Sequence, residues 1–179
     1  MPALTVVITG ASRGIGKSLA KHFAQRGDEL LLTARNKETL TATITALQKE
    51  FTASTIHGQA ADLSIPEQAR EFGRWCLSFS EPDILINNAG QFLPGSLAEE
   101  PDGQLEQQLR INLGSAYHLT RTLIPTMIQR GTGHIFTICS IGGICQPTAI
   151  IFQACGLCAI RWRQICWLLA WLGKYVWYP

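Results

Sequence analysis

Thr9-Gly10-Ala11-Ser12-Arg13-Gly14-Ile15-Gly16 follows directly on the apolar run Leu4-Thr5-Val6-Val7-Ile8. A short apolar run bounded by glycine reads as a buried strand. Behind the glycines, Ile15, Leu19, Ala20, Phe23 and Ala24 recur at helical spacing, and Gly27 ends that helix. The stretch is therefore strand, glycine-rich turn, helix. Gly10 permits a tight turn out of the strand. Gly14 and Gly16 lack a Cβ, so backbone amides and the helix N-terminus can come close to a pyrophosphate. The spacing is Gly-x3-Gly-x-Gly rather than the Gly-x-Gly-x2-Gly of the usual dinucleotide fingerprint.

Outward from this loop, strand and helix patterns alternate. Glu29 to Thr33 reads as a strand, and Lys37 to Phe51 as an amphipathic helix carrying Leu40, Ile44 and Leu47. A weaker strand lies near Ser54 to Gln59, and Pro66 opens a helix that runs to about Phe79. Asp83 to Ile86 is the next strand, ending in Asn87-Asn88-Ala89-Gly90. A long helix is expected over Gly103 to Arg130, bent at Pro125, before a fifth strand at Ile135 to Cys139. Repeated strand–helix units with continuous apolar strands predict an α/β fold. Its expected form is a Rossmann-like, doubly wound parallel sheet with helices on both faces and ligands at the carboxyl ends of the strands. The glycine loop, Asn87–Gly90 and Ser140 all fall at such ends.

Composition narrows the partners. The chain has 179 residues, is 46% hydrophobic and 16% charged, and carries a net charge of +2. That suffices for one domain with a core. All 13 acids lie before residue 107, whereas the remainder holds six thinly spread bases and no acid. Without a basic stripe, nucleic acid is not an expected partner. Residues 135–160 contain no charge, but Gly142, Gly143, Gln146, Pro147, Gln153 and Gly156 interrupt them, which argues against a membrane span. Leu157, Ile160, Ile165, Leu168, Leu169 and Leu172 could share one face of a short helix. Met1-Pro2-Ala3 leads straight into the first strand with no secretory pattern, so a cytoplasmic location is expected. Cys155 and Cys158 have a metal-like spacing, but no histidine follows His134 and no second Cys-x2-Cys completes four ligands; no metal is expected.

The type of dinucleotide is read at the end of the second strand. An acid there would bind the ribose diol of NAD, whereas arginine accommodates the 2′-phosphate of NADP. The chain offers Thr33-Ala34-Arg35-Asn36, and Arg13 inside the glycine loop can add a second charge. NADP rather than NAD is the expected cofactor.

Thr9–Gly16, Ala61-Asp62-Leu63, Asn87-Asn88-Ala89-Gly90, Asn112 and Ile138-Cys139-Ser140, in this order and at these intervals, resemble the short-chain dehydrogenase/reductase family over roughly residues 4–147. The resemblance implies hydride transfer between a nicotinamide and a carbonyl or alcohol substrate. It implies that Gly10, Ser12, Arg13, Gly14, Ile15 and Gly16 hold the pyrophosphate side of the cofactor, with Arg35 beside them. Asp62 would contact the adenine, and Asn88, Ala89 and Gly90 would support the nicotinamide side. Asn112 would hold a proton-relay water, and Ser140 would hydrogen-bond the substrate oxygen. Homo-oligomers through the long helix are common in such proteins.

The same resemblance exposes a departure. The family places a tyrosine about a dozen residues after the serine, with a lysine four residues later that lowers the tyrosine pKa. An unperturbed tyrosine near pKa 10 is a poor base at neutral pH without that cation. Here the window reads Ile150-Ile151-Phe152-Gln153-Ala154-Cys155-Gly156, with Phe152 and Gly156 at the two positions. Tyr117, Tyr175 and Tyr178 have no lysine four residues on. The expected organisation is a nucleotide-binding part over 1–147 and an atypical Trp- and Cys-rich tail over 148–179. The family's C-terminal strands are missing from this pattern, as in a truncated or frame-shifted reading of a longer sequence. The expected activity is that of an NADP-dependent oxidoreductase with impaired catalysis; a non-catalytic nucleotide-binding or interaction protein is the alternative.

Overall fold

The computed structural model describes residues 2–93 and 97–139. Ser140, Phe152, Gly156, the Cys155/Cys158 pair, the helix expected over 157–172 and the whole 148–179 tail lie outside the described residues. Five parallel strands form one sheet: β1 (Thr5–Thr9), β2 (Glu29–Ala34), β3 (Ile56–Ala60), β4 (Ile84–Asn87) and β5 (His134–Thr137). Their order is β3-β2-β1-β4-β5. The chain builds outward from β1 to β3 and then returns to the other side of β1. The strand order therefore reverses between β1 and β4, the place where an open α/β sheet leaves a crevice at its carboxyl edge.

Helices cover both faces. Val6, Ile8, Leu30, Leu32 and Ile86 pack against Ala20 and Ala24 of α1 (Gly14–Gln25) and Leu40 and Leu47 of α2 (Lys37–Glu50). Alternate strand residues Val7, Leu31 and Leu85 pack on the opposite face. Their partners are Ala69 and Phe72 of α3 (Pro66–Leu77), and Leu119 and Leu123 from the long helical segment that follows β4. Central strands are thus buried on both sides, which is why they read as continuous apolar runs rather than alternating ones. Each fully buried Leu or Val contributes about 1.5–3 kcal/mol relative to exposure. Cys76 of α3 belongs to this second core, where burial pushes its thiol well above the ordinary range.

Local signals place the elements. Pro66 is at the first turn of α3, where its missing N–H costs nothing. Asn36 caps α2, its Oδ1 accepting the Thr39 N–H at 2.7 Å. Gly27, at φ +80°, lets the chain leave α1 and enter β2.

Two expectations change. Helical spacing puts Ile15 on the apolar face of α1, but it is 58% exposed; the buried positions are Gly16, Ala20 and Ala24. Ile15 instead faces the open space beyond the end of β1. The helix expected over Gly103–Arg130 is divided into α4 (Gln104–Leu109), a π-helical turn (Arg110–Gly114) and α5 (Ser115–Arg130). Its departure from α geometry lies around Asn112, while Pro125 sits inside α5. At that turn the Asn112 side chain is engaged with the backbone of Gln91.

Candidate cofactor cleft

An open cleft of about 570 Å³ lies at the carboxyl ends of β1, β2 and β4. Its walls include Gly10, Ser12, Arg13, Gly14 and Ile15 from the glycine loop, and Thr33, Ala34, Arg35, Asn36 and Thr39 from the end of β2 and the start of α2. Asp62, Asn88, Ala89, Gly90, Ile111 and Ser115 also contribute. Such a volume falls within the range of small-molecule and cofactor sites.

The glycine loop is shaped by two different demands. Gly10 and Gly14 adopt φ +66° and +54°, a region that strains other residues. Space in front of Gly14 is open, since a Cβ there would meet nothing within 4 Å. Gly16 is different. A Cβ on it would collide with the Gly10 carbonyl oxygen and lie 2.5 Å from Asn88 Nδ2. Its lack of a side chain serves close packing of α1 on the loop.

The N-terminus of α1 faces this open space, with no side-chain cap among the described residues. Arg13 at the N-cap makes no side-chain capping bond, and the first turn carries no acid. The first amides of a helix have no intrahelical partner, and together with the helix dipole they favour an anion. Arg13 and Arg35 are both exposed on the cleft wall. Thr33 Oγ1, on the same wall, is buried and has no hydrogen-bond partner among the described residues.

β1 and β4 are tied together at the bottom of the crevice. Thr9 Oγ1 accepts the Asn88 and Ala89 N–H groups at 2.9 and 2.8 Å and donates to the Ile86 carbonyl at 3.4 Å. Asn88 Nδ2 donates back to the Thr9 and Gly10 carbonyls at 2.9 and 3.2 Å. The Asn87–Gly90 segment and the glycine loop are therefore one hydrogen-bonded unit. Asn87 itself points elsewhere, donating to Thr120 Oγ1 at 3.1 Å.

Asp62 lies beside the cleft with one oxygen committed locally. Its Oδ1 accepts from the Ser64 amide at 3.0 Å and the Ser64 hydroxyl at 2.7 Å, while Gln68 Oε1 accepts the Asp62 N–H at 2.8 Å. Asn112 is buried, its amide spent on the backbone of Gln91. Of the sequence-predicted residues, Gly10, Ser12, Arg13, Gly14, Ile15, Arg35, Asp62, Asn88, Ala89 and Gly90 line one cavity; Gly16 and Asn112 support it from behind. Thr9 and Thr33 stand inside the quoted stretches without a role of their own, Gln91 carries no motif, and helical spacing marks Thr43 only as a core position.

A family model described as short chain dehydrogenase matches residues 4–153. An uncharacterized oxidoreductase of Bacillus subtilis is 36% identical over 149 residues, covering 83% of this chain and 56% of that protein. The short-chain dehydrogenase from Sphingobium yanoikuyae in complex with NADPH superposes with a TM-score of 0.87 at 30% identity, covering 97% of this chain and 68% of that one. The L-sorbose reductase of Gluconobacter frateurii complexed with NADPH and L-sorbose superposes at 0.83 with 28% identity, covering 89% and 61%. The chain spans about half the length of the curated relatives it matches.

Proposed function

This chain belongs to the short-chain dehydrogenase family, and on that premise we propose that its cleft holds NADP(H) while its chemistry toward carbonyl or alcohol substrates is impaired. The observation that carries the binding half is the uncapped N-terminus of α1 opening onto free space at Gly14, in a cleft that Arg13 and Arg35 also line. An anion satisfies those amides, and two guanidinium groups suit a phosphomonoester better than a ribose diol. The buried Thr33 hydroxyl on the same wall is a further polar group that a bound ligand would satisfy. The NADPH bound in the Sphingobium and Gluconobacter proteins supports the same reading.

Pyrophosphate would lie against the glycine loop, with Ile15 leaving an apolar surface at the rim and Asp62 offering its second oxygen toward the adenine. Asn88, Ala89 and Gly90 would form the nicotinamide side. Bound there, the reduced nicotinamide supplies a hydride to a carbonyl carbon. The chain's own task is to place that carbonyl and deliver a proton to its oxygen. Ser140 is the residue proposed to hydrogen-bond the oxygen. The Asn112 amide is occupied by Gln91, so a relay water would rest on a main-chain carbonyl of the π turn, a geometry that shifts the helical hydrogen-bond pattern.

The impairment is read from Phe152 and Gly156. Phenylalanine has no proton to give, and glycine supplies no cation. A positioned acid–base group typically contributes 10²–10⁴ in rate, and the loss of its activating cation does not simply add to that. The purified chain, mixed with NADPH and a panel of aldehydes and ketones, is expected to perturb NADPH fluorescence without carbonyl-dependent NADPH oxidation. Turnover at a rate comparable to tyrosine-bearing members would overturn the impairment; no fluorescence change would overturn the binding.

A further inference from the structure

Position 43 is a core position by spacing, on the same face of α2 as Leu40 and Leu47, and Thr43 is only 3% exposed. A buried hydroxyl is costly unless paired. In mid-helix a threonine commonly pairs with the carbonyl one turn earlier in its own helix. Thr43 instead reaches across to the glycine loop, its Oγ1 donating to the Ser12 carbonyl at 3.2 Å, a contact spanning 31 residues of sequence.

That bond fixes more than Ser12. The Ser12–Arg13 peptide is trans, so its carbonyl and the Arg13 N–H point in opposite directions from one rigid plane. Holding the carbonyl on α2 therefore sets the direction of the Arg13 amide and the point from which its side chain departs. The same helix starts at Lys37, directly after the Asn36 cap, and Arg35 precedes that cap. Thr43 thus joins the loop carrying Arg13 to the helix whose first turn fixes Arg35.

We propose that Thr43 is a positioning residue for cofactor choice: its hydroxyl sets Arg13 relative to Arg35 so that both serve one phosphomonoester. This rests on the NADP reading above. The hydroxyl does not touch the ligand; it acts through the Ser12–Arg13 peptide. Valine keeps the shape of Thr43 and removes the bond, whereas serine keeps the bond.

The test is equilibrium binding of NADPH and NADH to the intact chain and to Thr43→Val, Thr43→Ser and Arg35→Ala. Thr43→Val is expected to lower the NADPH-over-NADH preference by about threefold to tenfold, the range of one lost hydrogen bond. NADH affinity should stay nearly unchanged, and Thr43→Ser should retain the preference. Arg35→Ala should reduce it further. Should Thr43→Val be insoluble, Thr43→Ala carries the same comparison. A wild-type chain without NADPH preference would overturn the cofactor reading itself. A wild-type preference kept intact in Thr43→Val or Thr43→Ala, whatever their thermal stability, would overturn this inference alone.

Discussion

Asn112 holds the backbone of Gln91 at both ends: its Oδ1 accepts the Gln91 N–H at 2.7 Å and its Nδ2 donates to the Gln91 carbonyl at 3.0 Å. The pair joins the π turn between α4 and α5 to the segment that leaves β4 beside the cleft. Asn112 is 2% exposed, so its side chain is shut off from water. Replacing it with alanine strands two backbone groups and is expected to cost about 1–3 kcal/mol in urea unfolding. Asn112→Asp keeps the acceptor and loses the donor, and should be less stable than wild type at neutral pH. Unchanged stability in both variants would contradict the clamp.

Thr9 makes a second such junction, because one hydroxyl receives the N–H groups of Asn88 and Ala89. Thr9→Val preserves shape but leaves two amides without that acceptor in a 2% exposed site. A loss of about 2–3 kcal/mol is expected, with weaker NADPH binding, since the glycine loop and the Asn87–Gly90 segment would no longer share an anchor. Thr9→Ser should retain most of both properties.

Gly14 and Gly16 should respond differently to alanine. Gly14→Ala meets open space and is strained only by φ +54°, about 1–2 kcal/mol. Gly16→Ala drives a methyl against the Gly10 carbonyl and Asn88, both parts of the β1–β4 junction. Overpacking of this kind costs about 1–3 kcal/mol or more and displaces the loop. Gly16→Ala should therefore lose NADPH affinity out of proportion to its stability loss; equal effects at both glycines would contradict this distinction.

His118 on α5 gives the fold a pH dependence of known sign. Desolvation foremost, then the Arg70 and Arg121 charges, lower its pKa below the ordinary 6.5, with Glu67 acting weakly in the other direction. The folded state thus binds its proton less readily than the unfolded chain does. Its contribution is complete above pH 6.5 and is lost as pH falls through that value toward the folded-state pKa. His118→Gln should flatten the fall in melting temperature as pH drops below 6.5 relative to wild type; an unchanged slope would contradict the assignment.

Much of this architecture is written locally in the chain. The two-sided burial of β1, β2 and β4 makes continuous apolar runs, Pro66 starts α3, and Gly27 stops α1. Among the residues that line the cleft, Gly10, Arg13, Gly14 and Arg35 are legible because glycine spacing and arginine at a strand end have direct chemical meanings, whereas the roles of Asp62 and Asn88–Gly90 come only through the family resemblance. The hidden parts are long-range. Thr9 and Ala89 are 80 residues apart, and Thr43 and Ser12 are 31 apart. Periodicity reports which face of an element is buried, not which carbonyl a buried hydroxyl will find. For the same reason Thr43 reads as an ordinary core position of α2. The π turn escapes notice because no local residue pattern marks it, and the Asn112–Gln91 contact made from it spans 21 residues.

Gly10–Gly16, Arg13 and Arg35 are proposed to form a working site for the phosphorylated dinucleotide, with Phe152 and Gly156 standing where the family resemblance implies an acid and its cation. Titration of the intact 179-residue chain with NADPH and NADH, followed by nucleotide fluorescence, tests this most directly. The expected result is saturable NADPH binding about tenfold or more tighter than NADH, the scale of one charge-assisted contact to the 2′-phosphate. No saturable binding, or NADH bound as tightly as NADPH, would contradict the account.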